Sequence, residues 1–143
     1  MPIYTVRNLT TGAAAPKTHI TITAPANGRV KLRGLLFKTG TTNAASYEWE
    51  IQRLSVNATG SAQTPNPTNP DDIASRTTAL SAITAEGTSS ASLWEIGANV
   101  LGSFSLWVPL DKLAELVNSG ILAFVKTVGT LTSQIHTTLF FEE

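Results

Sequence analysis

The sequence predicts an all-β fold, and three observations carry that prediction. Short apolar runs alternate with polar residues at a period of two, turn-forming stretches separate them, and only one segment has helical spacing. The chain has 143 residues, the size of one domain with its own core. Residues 1–143 therefore read as a single two-sheet antiparallel sandwich, jelly-roll-like, with one short helix.

The elements come in this order. In "THITIT", Ile20 and Ile22 share one face and Thr21 and Thr23 the other. "APANG" turns the chain into "RVKLRGLLFK", where Val30 and Leu32 alternate with Arg29, Lys31 and Arg33 until Gly34 breaks the pattern. A glycine there predicts a bulge or a close backbone approach. "KTGTTNAAS" has the composition of a loop. "SYEWEIQRLSV" puts Tyr47, Trp49 and Ile51 inward and Glu48, Glu50 and Gln52 outward, so residues 29–56 read as a long hairpin.

Further along, "IASRTTALSAIT" leans towards strand through Thr77, Thr78 and Ile83. "SASLWEI", "VLGSFSLWVPL", "GILAFVKTV" and "SQIHTTLFFEE" supply four more strands. In the second of these, Phe104, Leu106 and Val108 alternate with Ser103, Ser105 and Trp107. "ILAFV" is apolar on both faces, as a covered central strand should be. "PLDKLAELVNSG" is the helical segment, with Asp111 as its cap, Leu113, Leu116 and Val117 as its stripe and Gly120 as its stop.

The stretch 60–75, "GSAQTPNPTNPDDIAS", places Pro65, Pro67 and Pro70 within six positions, between segments that both read as strands. Proline fixes φ and biases the preceding residue to extended geometry. Residues 63–71 are thus expected to form a stiff, extended excursion with few core contacts. Stiffness lowers the entropy lost on docking, which assigns Pro65, Asn66, Pro67, Asn69 and Pro70 to a partner interface. Trp107 and Phe140 join that set as large apolar residues at outward strand positions.

Composition limits the function classes. Charged residues are 14% of the chain, against about 25% in ordinary domains. In their place stand 21 Thr, 12 Ser and 17 Ala. Lys plus Arg equals Asp plus Glu at 10 each, so the net charge is zero. Such a surface favours association with protein and suits nucleic acid poorly. Zero net charge without Lys/Arg clusters implies binding through apolar contact and main-chain pairing, with little dependence on salt. The absence of cysteine removes thiol chemistry and Cys-based zinc sites. "MPIYTVRNLT" has no apolar signal region and no run approaches 18 apolar residues, so no membrane contact is expected and the chain should be made in a cytoplasm.

No catalytic, cofactor or metal constellation emerges, and the chain reads as a non-enzyme. His19 and His136 lie opposite the apolar faces of their strands and read as solvent-facing or interface histidines. Asp71 and Asp72 are adjacent and poorly placed to converge on one ion. Glu48 and Glu50 share a strand face at about 7 Å, a spacing that a solvated face explains better than a glycosidase pair. Trp94 and Trp107 would stack on sugar only if exposed.

The order of features resembles the small decoration (cement) proteins of tailed bacteriophages. The matching pieces are "GRVKLRGLLFKTGTTNAASYEWEIQRL", the excursion "TPNPTNPDDIA", "SLWEIGANVLGSFSLWVP", "GILAFVKTVGT" and "IHTTLFFEE", together roughly residues 28–143. The resemblance implies a β-sandwich that forms a homotrimer on the capsid exterior and bridges major capsid protein subunits. "PLDKLAELVNSG" departs from that family, where a short loop would be expected. A phage tail or fibre component, or a carbohydrate-binding module, is the alternative.

Overall fold

The computed structural model describes residues 1–10, 14–110, 115–129 and 134–143, with side chains described throughout except at 40–45, 100 and 101. Ten strands succeed one another: β1 (Ile3–Thr10), β2 (Lys17–Thr23), β3 (Arg29–Val56), β4 (Thr59–Gln63), β5 (Asn66–Pro67), β6 (Thr78–Ala85), β7 (Thr88–Pro109), β8 (Glu115–Val117), β9 (Ile121–Val128) and β10 (Ile135–Glu142). All pairings are antiparallel.

Two of these strands build both sheets. The first half of β3 and the last half of β7 pair from Gly34↔Pro109 to Thr41↔Gly102; the other halves pair from Ala45↔Val100 to Val56↔Thr88. Between them the register shifts at Thr41/Ala45. The hairpin expected over 29–56 is therefore one continuous strand, and the loop expected at "KTGTTNAAS" is the place where that strand passes from one sheet to the other. Residues 42–44 have no partner in that register, and small residues suit a chain that bends where its ladder is interrupted. Sheet one runs β5-β1-β10-β3-β7, with β8 alongside the start of β3. Sheet two runs β4-β6-β2-β9-β3-β7.

The inner faces meet in one core. Phe37 of sheet one lies 5.0 Å from Phe124 of sheet two between ring centroids, and 5.1 Å from Trp49. Tyr4, Val6, Leu35, Leu139 and Phe141 line the first sheet; Ile20, Ile22, Ile51 and Leu122 line the second. β1, like β4 and β5, is a strand that the sequence alone leaves unassigned, although Tyr4 and Val6 alternate in it as cleanly as any pair and are both 1% exposed.

The helix expected at "PLDKLAELVNSG" is replaced, among the described residues, by β8. Leu116 is buried and Val117 exposed, as alternation requires, and Val30↔Leu116 sets the register. Asn118 and Ser119 then both take positive φ, and the Gly120 N–H donates to the Val117 carbonyl at 2.9 Å. The apparent helix stop "NSG" is a tight turn of the primed kind. Asp111 and Leu113 lie outside the described residues.

Candidate functional site

The outer face of sheet one is built by the strand partners themselves. Arg7↔Thr138, Thr138↔Leu36 and Leu36↔Trp107 form one row across β1, β10, β3 and β7; Thr5↔Phe140, Phe140↔Gly34 and Gly34↔Pro109 form the next. Trp107 leans from its own row over Gly34 to Phe140. The two rings meet edge-on, with centroids 5.4 Å apart and planes at 67°. A Cβ added at Gly34 would lie 2.0 Å from the indole, so only glycine leaves that seat open. The ladder also slips opposite this glycine, between Phe140 and Phe141, so bulge and close approach coincide. Trp107 nevertheless remains 49% exposed, and Leu9, on the same face, 47%. The structure thus brings together Trp107 and Phe140, which the sequence marked separately.

The five excursion residues lie at the edge of the same sheet. In β5, Asn66 pairs with Thr5 and Pro67 with Tyr4; the Thr68 N–H then donates to the Ile3 carbonyl at 2.8 Å. An edge strand is where a missing N–H does no harm. Asn66, Asn69 and Pro70 are exposed and Pro67 is half-buried; Pro65 is the one of the five that is buried. Asn69 to Asp72 closes a turn through the Asp72 N–H and the Asn69 carbonyl at 3.1 Å, with proline at its favoured second position. The excursion thereby carries the chain from β4, at the edge of sheet two, to β1 in sheet one.

Beyond that turn, Glu143 ties down residues 75–77. Its carboxylate accepts from the Ser75 hydroxyl at 2.6 Å, the Thr77 hydroxyl at 3.0 Å and the Arg76 and Thr77 backbone N–H groups. Burial pushes this carboxyl up, but those hydrogen bonds outweigh it and hold it below its ordinary value. Tyr4 donates to the Ile73 carbonyl at 2.9 Å, and burial, then the Glu143 and Asp72 charges, raise its phenol.

The outer face of sheet two has a different character. Glu48 and Glu50 point outward as expected, and Glu95 stands directly opposite Glu50. With Gly97 and Thr127 they line a shallow concavity. By contrast, Arg7, Arg29, Lys31, Arg33 and Lys38 alternate with buried residues on sheet one and share its outer face; Arg29 pairs with Glu115 and Arg33 with Glu142. The sequence's even charge balance conceals this segregation, so the absence of a basic cluster inferred from the linear sequence does not hold in three dimensions.

The interior holds two basic residues. His19, expected at the surface, is 0% exposed: the ladder slips between Thr18 and Ile20, so alternation does not apply to it. Burial first, then the charges of Lys126 and Lys17, lower it to about 3. Lys126, also 0% exposed, is lowered to about 8 by burial and then by Lys17. His136 is exposed. Of the tryptophans, Trp49 is fully buried and Trp94 packs against the core, leaving Trp107 to face outward. Among the described residues no group of three His, Asp or Glu is placed to hold a metal. The geometry offers surface for contact: an aromatic seat, a rigid strand at the opposite edge of the same sheet, and two faces of opposite charge. No family model matches the chain, and neither does any curated protein or solved structure.

Proposed function

We propose that this chain is a capsid decoration, or cement, protein of a tailed bacteriophage. It binds the exterior of the head, bridges major capsid protein subunits and stabilises their contacts, and it acts as a homotrimer on a jelly-roll-like sandwich. It needs no cofactor and contacts neither nucleic acid nor membrane; after synthesis in the host cytoplasm it resides on the virion.

One observation carries the reading: a half-exposed Trp107, held by Gly34 and Phe140, lies on the same sheet as an extended proline-rich edge strand. Aromatic anchors of this kind dominate the energetics of protein contacts, and an edge stiffened by proline docks with little loss of entropy. The sparse charge of the chain suits a protein whose surface is covered by other protein. A second reading rests on the same tryptophan: a tail, fibre or carbohydrate-binding module would use its open ring face to stack on sugar.

Electron microscopy of purified particles tests both. Density for this chain on the shell, lost with Trp107→Ala while the isolated variant stays folded, is the expected result. Density on tail or fibre would replace the first reading with the second.

A further inference from the structure

We propose that the acidic outer face of sheet two is the docking site for the basic, aromatic outer face of sheet one of a second copy of this chain. This contact deepens the self-association proposed for the cement protein and rests on that reading for biological meaning, though not for the contact itself.

The acidic side has an unmet electrostatic requirement. Glu50 and Glu95 are direct cross-strand partners, and Glu48 stands next to Glu50 on the same face. Like charges directly opposite each other destabilise a sheet. Glu50 accepts one hydrogen bond, from the Gln52 amide at 2.7 Å, but none of the three glutamates makes an ion pair among the described residues. Between them the surface dips to Gly97, which has no side chain to fill the space. Beside it Val128, the partner of Glu48, is 44% exposed. The dip matches a lysine or arginine, whose stem would cover Val128 while its head met the carboxylates.

The basic side has the matching surplus. Glu115 and Glu142 are taken up by Arg29 and Arg33, while Arg7, Lys31 and Lys38 make no ion pair among the described residues. Lys38 shares its row with Leu9 and His136, one row from Trp107 and Leu36, so cations there flank an apolar centre. Two different patches on one chain make a head-to-tail contact. That class closes into rings or propagates as a stack, according to the rotation per step.

The test uses the purified full chain in sedimentation at low and high salt, about 0.05 and 0.5 M. Arg7→Glu with Lys38→Glu makes both faces acidic; Glu50→Lys with Glu95→Lys makes both basic. Each double variant alone should associate at least about tenfold more weakly than wild type, and mixing the two should restore association. Wild-type association should weaken about tenfold from low to high salt. The neutral pair Lys38→Gln and Glu95→Gln, each about severalfold weaker, serves if a reversal fails to fold. Unchanged association in the reversed variants, failure of the mixture to recover, or a wild type that stays monomeric throughout would overturn the proposal. Recovery in the mixture by a chain that does not attach to phage heads would keep this contact and remove the cement reading. Attachment as a monomer would do the opposite.

Discussion

At one end of the sandwich interior, Val30, Leu32, Leu116 and Leu122 pack together; at the other, where β3 and β7 pass between the sheets, the interior holds His19, Thr39, Lys126 and Thr137. The apolar end is latched from outside, by the β5 edge on β1 and by the grip of Glu143 on residues 75–77. The polar end is closed by the continuous strands themselves. Several polar atoms near it, both ring nitrogens of His19, Tyr47 OH, Trp49 Nε1 and Thr137 Oγ1, have no hydrogen-bond partner among the described residues. An unmet buried polar group costs about 1–3 kcal/mol. The apolar end packs without that cost, whereas at the bent end the aromatic contacts among Phe37, Tyr47, Trp49, Phe104 and Phe124 must offset it.

The largest effect should come from breaking the apolar end. Leu32→Ala removes a side chain that is 0% exposed and should cost about 2–5 kcal/mol in chemical denaturation. Thr137→Val, at the polar end, deletes a buried hydroxyl without a partner and keeps the shape; it should be neutral or stabilising. Equal losses at the two positions would erase the contrast.

Acid should attack the polar end first. His19 is lowered from 6.5 to about 3, so the unfolded chain binds its proton and the folded chain resists it. The stability tied to neutral His19 is complete above pH 6.5 and lost as pH falls towards 3, by about 1.4 kcal/mol per unit. Lys126, lowered from 10.5 to about 8, acts in the same direction at higher pH: stability rises as pH climbs from 8 through 10.5. His19→Leu should flatten the limb below pH 6.5, read as denaturation midpoint against pH. An unchanged limb would place the acid sensitivity elsewhere.

The latch comes next in size. Glu143→Gln leaves the geometry near Ser75 and Thr77 but removes the charge that strengthens those hydrogen bonds, for about 1–3 kcal/mol. Because the folded carboxyl is held below its ordinary value, its contribution is present above 4.5 and fades as pH falls through the folded value. That window lies below the one in which His19 first acts, so the two variants should separate them. Amide exchange confined to residues 73–77 and β1 would show that the latch, not the whole fold, has loosened.

How much of this was readable in advance depends on which signals are local. β2 and β10 were legible because their alternation is set by their own residues and β9 because it is apolar on both faces, and the outward positions of Trp107 and Phe140 came from the alternation of β7 and β10. That the two rings meet over Gly34 was not, because it depends on a β3 partner distant in sequence from both. His19 was misplaced because a register slip is invisible without the neighbouring strand. The Gly/Thr/Asn composition of "KTGTTNAAS" signals flexibility equally well for a loop and for a bending strand. Charge segregation between faces vanishes in a sum that is zero.

The smallest expected effect, that of Pro70→Gly, is found among the three prolines that bring the chain across to the latched end. Pro65, Pro67 and Pro70 stand in one short segment but differ in surroundings: buried, half-buried against Tyr4, and exposed in a turn. Proline restricts the unfolded chain, so replacing it by glycine costs about 0.4–1 kcal/mol wherever the native geometry suits proline. Pro70→Gly should show that entropic loss alone. Pro65→Gly should show it together with the loss of a buried ring, about 1–2 kcal/mol more by its area. The triple variant should keep its fold, since β1 remains paired with β10 along its full length, yet it should attach to particles about tenfold more weakly if the excursion docks on a neighbour. Denaturation midpoints rank the single variants, and particle occupancy in a titration reads the triple. Equal midpoints for Pro65→Gly and Pro70→Gly would mean that burial at residue 65 adds nothing. Occupancy equal to wild type would confine the prolines' role to holding the latch.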